Sequence, residues 1–169
     1  MGQNLVASQL GEGDDAIFRP EVHHLSSALN RALNKNRQKN AKQLVAVRQP
    51  LTDSVGLHIV IELDSKNKPI PLDQIQTKKG KGSVRKIVIE VDKRNNYLKD
   101  FYGVHDRRRP MIRLWTAVYE KAGYEVIVVH PKDTAQILNK TYCDCLVKNL
   151  VEKITTKREP ISSLSRTAS

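Results

Sequence analysis

Aromatic residues are scarce: one Trp, two Phe and five Tyr amount to 5% of the 169 residues. The core must therefore be mostly aliphatic, and Trp115 is expected inside it. No apolar run reaches the length a membrane-spanning helix needs. Only two cysteines occur, Cys143 and Cys145, one residue apart. That spacing matches neither a zinc site nor a disulfide framework, and it fits free thiols in a reducing intracellular compartment, cytoplasmic or nuclear. There is no Gly-x-Ser-x-Gly turn for a serine hydrolase. There is no phosphate-cradling loop either, because Lys78-Lys79-Gly80-Lys81-Gly82 lacks the Gly-Lys-Ser/Thr that must open a helix. His23-His24 has no histidine four residues on to complete a metal pair, and His58, His105 and His130 show no ligand spacing. The first residues carry no apolar leader stretch. Gly2 offers an acceptor for myristate, but Val6 stands where Ser or Thr is preferred.

What the chain has in excess is positive charge. Lys and Arg number 29 against 18 Asp and Glu, a formal net charge of +11. Such a surplus makes a field that attracts polyanions, nucleic acid first and an anionic membrane surface second. Its plainest alternative is solubility.

Periodicity predicts a single α/β domain over residues 20–156, with a flexible arm at 1–19 and a disordered Ser/Thr/Arg tail at 157–169. Pro20 opens a helix extending to about Lys42. Leu44–Val47 reads as a short strand. Two strands then carry nearly the same text, His58-Ile59-Val60-Ile61-Glu62-Leu63-Asp64 and Lys86-Ile87-Val88-Ile89-Glu90-Val91-Asp92. Pro110 starts a helix with Ile112, Trp115, Val118, Tyr119 and Ala122 inward, and Gly123 ends it. Tyr124–Val129 is a strand. Asp133, with Gln136 as the second half of a capping box, is expected to start a last helix. Ala135, Leu138, Tyr142, Cys145, Leu146, Leu150 and Ile154 would be its buried stripe. The order is αβββαβα, a central mixed sheet flanked by helices.

Strand residues two apart share a face, so Glu90 and Asp92 point the same way, as do Glu62 and Asp64. If the two strands pair, four carboxylates can gather on one face and hold Mg²⁺ through hard oxygen ligands. The alternative is a solvated sheet face with its charges outward.

Ile87-Val88-Ile89-Glu90-Val91-Asp92, the arginine-rich stretch after it, and Ala122-Gly123-Tyr124-Glu125-Val126-Ile127-Val128 together resemble the PD-(D/E)xK nuclease-like group. Within it they look most like RAP-type RNA-binding domains and very-short-patch-repair-type endonucleases. The resemblance covers a quarter to a third of the chain. It implies a restriction-endonuclease-like fold with Glu90 and Asp92 as the acidic pair and Asp64, or else Asp53, as the earlier metal-binding aspartate. Lys93 stands in for the family lysine, which belongs two residues after the glutamate, where Asp92 stands. Catalytic roles would thus fall to Asp64, Glu90, Asp92 and Lys93, the first three as Mg²⁺ ligands.

Basic residues cluster at three places in the sequence. Lys35, Arg37 and Lys39 lie in the far half of the first helix. Lys78, Lys79 and Lys81 lie between the two similar strands. Arg94, Lys99, Arg107, Arg108, Arg109 and Arg113 flank and enter the second helix. Such side chains neutralise phosphates. Tyr97, Phe101 and Tyr102, interleaved with them, could stack on unpaired bases or pack under the sheet. The sequence therefore predicts a nucleic-acid-binding protein, with RNA favoured over DNA by the RAP-type resemblance. Its alternatives are a Mg²⁺-dependent endonuclease and a basic accessory protein of matrix or nucleocapsid type.

Overall fold

The computed structural model describes residues 19–35, 41–51, 56–77, 85–99 and 105–156. The arm to residue 18, the tail from 157, and Arg37, Lys39, Asp53, Lys78, Lys79, Lys81, Phe101 and Tyr102 lie outside them. In chain order the elements are α1 (Pro20–Leu33), β1 (Ala46–Arg48), β2 (His58–Leu63), α2 (Leu72–Thr77) and β3 (Arg85–Val91). A 3-10 turn (Arg94–Asn96) follows, then β4 (Tyr97–Lys99), β5 (His105–Arg108), α3 (Pro110–Lys121), β6 (Tyr124–Val129), α4 (Pro131–Thr134) and α5 (Lys140–Thr155). The protein is mixed α/β. The expected αβββαβα order is present, with α2, α4 and the β4–β5 hairpin added to it.

The main sheet runs β1-β2-β3-β6. β2 is antiparallel to both β1 and β3, and β6 is parallel to β3. The two similar strands pair with each other through a palindrome: Ile59 faces Ile89, Val60 faces Val88 and Ile61 faces Ile87. Because side chains alternate, the isoleucines turn to one face and the valines to the other. On the first face Ile59, Ile61, Leu63, Ile87, Ile89, Val91, Ile127 and Val129 pack with the buried stripes of α1 and α5. On the second face Val60 and Val88 pack with Tyr119 of α3, and Trp115 lies half-buried beside them. β3 is thus covered on both faces and paired on both edges, which is why five consecutive residues of it are buried.

α1 is shorter than periodicity predicts. Asn34 ends it: Nδ2 donates to the carbonyls of Asn30 (2.7 Å) and Lys42 (2.9 Å), and Oδ1 accepts from the Lys42 amide (3.2 Å). Asn30 Oδ1 accepts from the Leu44 amide at 2.8 Å. A short amide side chain offers the backbone partners outside the helix, and here it uses them to fold the chain back toward β1. Lys35, exposed, falls beyond the helix end.

The last helix also departs from expectation. His130 caps the single turn of α4 by accepting from the Lys132 amide, and Asn139 caps α5 by accepting from Tyr142 N–H. Asp133 instead accepts a short hydrogen bond from the Tyr142 hydroxyl. The chain breaks between the two helices, and the stripe shifts by one residue in the first half of α5, while Leu150 and Ile154 are buried as expected. Cys143, Val147, Leu150 and Ile154 are buried, while Ala135, Leu138 and Cys145 are exposed. Both cysteines are free.

Gly123 adopts φ +86°, the left-handed conformation that ends α3 and turns the chain into β6. No helix among the described residues is long and apolar enough to cross a membrane.

Candidate functional site

The C-terminal end of β3 lies beside the parallel end of β6, where Asp92 N–H donates to the Val129 carbonyl at 3.0 Å. Open α/β sheets commonly place ligands at such carboxyl ends. Glu90 and Asp92 sit there on the α3 face, 3% and 2% exposed. Two carboxylates that far from water need positive partners.

The hairpin supplies the first. Tyr97 of β4 pairs with Arg108 of β5, and Leu98 pairs with Arg107. Alternation sends Tyr97 and Arg108 inward and leaves Leu98 and Arg107 exposed. Arg108 Nη2 donates to Glu90 Oε2 (2.7 Å) and Asp92 Oδ1 (3.1 Å). Its Nε lies 2.8 Å from Asp92 Oδ2 as an ion pair, without the alignment of a hydrogen bond. Nη1 donates to the Thr116 hydroxyl at 2.7 Å, and that hydroxyl lies 2.9 Å from Glu90 Oε2 as donor. Burial works against the Arg108 charge, but the two carboxylates outweigh it and hold the guanidinium above its ordinary pKa.

Asn96 Nδ2 adds a bond to Asp92 Oδ1 at 3.1 Å. Tyr97 packs edge-on against the His130 ring at 5.1 Å. Burial and then the charge and hydrogen bond of Asp92 push its phenol up to about 12. Arg19, just before α1, completes the cluster. Burial lowers its pKa, partly offset by Glu21 and Asp92, and its Nε and Nη2 have no hydrogen-bond partner among the described residues. Two buried carboxylates thus face two guanidinium groups.

The raised pKa of Tyr97 fixes the sign of a pH effect. The neutral phenol is favoured in the fold, so its stabilisation is complete below the ordinary value near 10 and is lost as pH rises through about 12. Alkaline titration should show one phenol ionising near pH 12, together with loss of tertiary structure around the hairpin. Phenols that all ionise near pH 10 in a folded protein would contradict the burial of Tyr97.

The expected acidic cluster forms only in part. Glu90 and Asp92 do share a face, but Asp64 is not with them. Antiparallel pairing puts the end of β2 beside the start of β3, where Leu63 faces Arg85. Glu62 faces Lys86, four residues from Glu90, a separation of roughly 13 Å along the strand. Glu62 is bound by Arg48 at 3.3 Å. Asp64 Oδ1 accepts from the amides of Lys66 (2.8 Å) and Lys68 (2.9 Å), and these bonds, chiefly that from Lys68, lower its pKa. It stabilises a turn. Lys93 is exposed just past β3, at the start of the 3-10 turn. Among the described residues, no three acidic, histidine or cysteine side chains gather as metal ligands. Arg108 contacts both carboxylates, and among the described residues they have no third acidic neighbour, so the expected set of Asp64, Glu90 and Asp92 around Mg²⁺ is not assembled.

The basic residues fare differently. Arg94, Lys99, Arg107, Arg109 and Arg113 are exposed on the 3-10 turn, the hairpin and the first turn of α3. Arg109 pins these elements together: its amide donates to the Asn96 carbonyl (2.7 Å) and its Nε to the Asn95 carbonyl (2.6 Å). Lys35 lies apart, at the far end of α1. Tyr97 is buried and unavailable for stacking, and Arg108 is committed to the carboxylates. Sequence reasoning missed Arg19, Asn96 and Thr116. Only Thr116 left a signal, four residues after Ile112 on the inward face of α3.

No protein-family model matches this chain, and neither curated proteins nor solved structures yield a match.

Proposed function

We propose that this protein binds nucleic acid, RNA in preference to DNA, through the arginine-rich surface of the 3-10 turn, the hairpin and the start of α3. The observation that carries this reading is the sorting of its cations. Arg108 alone of this stretch is committed to the buried carboxylates, whereas Arg94, Lys99, Arg107, Arg109 and Arg113 are exposed with no carboxylate ion pair among the described residues. Exposed guanidinium groups suit phosphate oxygens because their donors form a rigid fork. The preference for RNA, and the restriction-endonuclease-like scaffold, rest on the resemblance to RAP-type domains. A cleavage reading has less behind it, since Asp64 and Lys93 stand apart from Glu90 and Asp92.

The test replaces Arg107 and Arg113 by alanine. Neither side chain holds the fold together, unlike Arg108 and Arg109. Binding to single-stranded RNA of mixed sequence should weaken for all sequences alike, with the salt slope reduced by about 1.4. Unchanged affinity and slope would remove this surface from the function.

A further inference from the structure

β6 forms one edge of the main sheet. Val129 turns its backbone groups toward β3, since its carbonyl accepts from Asp92 N–H. Successive residues of a parallel strand direct these groups to opposite sides, so Tyr124, Val126 and Val128 direct theirs outward. Among the described residues no strand pairs with that edge. Natural edges are blunted by lysine, proline or a bulge. β6 reads Tyr-Glu-Val-Ile-Val-Val and has none of these. Its one charge, Glu125, is held by Arg85 at 2.7 Å, and Val128 is 39% exposed. A groove of about 690 Å³ runs beside the strand, with Asn149, Glu152, Lys153 and Thr156 of the α5 end as its other wall.

We propose that a second copy of this chain occupies this edge, its β6 antiparallel to the first, joining two four-stranded sheets into one of eight. Three features favour a copy over another strand. First, the outward residues are symmetric about Val126. A two-fold axis there pairs Val126 with the partner's Val126 and Tyr124 with the partner's Val128. All three outward residues then sit in hydrogen-bonded pairs. Any shift in register leaves some of them unpaired. Second, the charges on the groove wall are one acid and one base, Glu152 and Lys153. The same axis runs α5 antiparallel to its mate, so each copy meets a wall that carries both an acid and a base. Third, the exposed part of Val128 is apolar surface that the pairing covers. This inference does not depend on the nucleic-acid reading.

The full-length chain, free of nucleic acid, should be studied by sedimentation velocity over a range of concentrations and salt. A dimer that dissociates on dilution is expected. Two copies of net charge +11 repel, so added salt should tighten the dimer, opposite in sign to its effect on polyanion binding. Val128→Lys places a charge on the exposed edge without touching the core. It should raise the dissociation constant about tenfold or more while the far-UV circular dichroism stays unchanged. Glu152→Lys should weaken the dimer, and adding Lys153→Glu should restore it. A wild-type chain that stays monomeric at every concentration and salt would overturn the proposal. So would a dimer indifferent to Val128→Lys.

Discussion

Arg108→Ala is expected to destabilise the protein by about 3–5 kcal/mol, the usual cost of removing one member of a buried ion pair. The substitution leaves Glu90 and Asp92, both nearly inaccessible to water, without the guanidinium that contacts each of them. Arg19 Nε and Nη2 make no hydrogen bond to either carboxylate among the described residues. Thr116 also loses a donor at 2.7 Å. Arg108→Lys should recover only part of the loss, because one ammonium cannot span two carboxylates and a hydroxyl as a planar fork does. Glu90→Gln should cost about 1–3 kcal/mol. Grouped carboxylates alone would predict the reverse, with removal of Glu90 relieving repulsion; Arg108 changes that sign. Urea denaturation of the three variants measures each value. An Arg108→Ala protein within 1 kcal/mol of wild type would mean that water reaches the cluster.

Affinity for nucleic acid is expected to collapse with salt. If Arg94, Lys99, Arg107, Arg109 and Arg113 each neutralise one phosphate, raising salt from 50 to 200 mM should weaken binding roughly 130-fold for a single strand and roughly 500-fold for a duplex. The two slopes separate single-stranded from duplex ligands. Fluorescence anisotropy at four salt concentrations gives the slope directly. A slope near zero would mean that no phosphate contacts are made. The design also shows why the arginine run should not be mutated as a block. Replacing Arg107, Arg108 and Arg109 together would confuse lost binding with lost stability, because the middle residue belongs to the interior.

The strands β2, β3 and β6 were legible because aliphatic residues at strand spacing have few other uses. Their relative direction was not. The similar text of β2 and β3 suits either pairing, and direction decides whether Asp64 reaches Glu90. In the palindrome Ile-Val-Ile, antiparallel pairing matches every residue with its own kind, and that match separates the carboxylates. The hairpin escaped notice because β4 has only three residues, one of them Lys99, and offers no apolar alternation. Yet two-residue alternation through Arg107, Arg108 and Arg109, just ahead of Pro110, already implies that the middle arginine faces the other way. The first half of the α5 stripe was misplaced for a similar reason, while Leu150 and Ile154 were legible. Asp133 and Gln136 match a capping box, whereas Asn139 is the residue that caps the long helix, and only the fold shows the chain breaking between them.

The two faces of the sheet carry separate apolar clusters, and the single Trp115 belongs only to the one beneath α3. Its indole lies 6.0 Å from the Tyr119 ring, within range of energy transfer and of quenching by nearby side chains. Trp115 emission is therefore a one-sided probe. It reports the docking of α3, while loosening of α1 and α5 on the opposite face leaves the Trp115 signal unchanged until the sheet itself gives way. Circular dichroism, weighted toward those two long helices, samples the other side. Denaturation curves followed by the two signals coincide only if both faces melt as one unit.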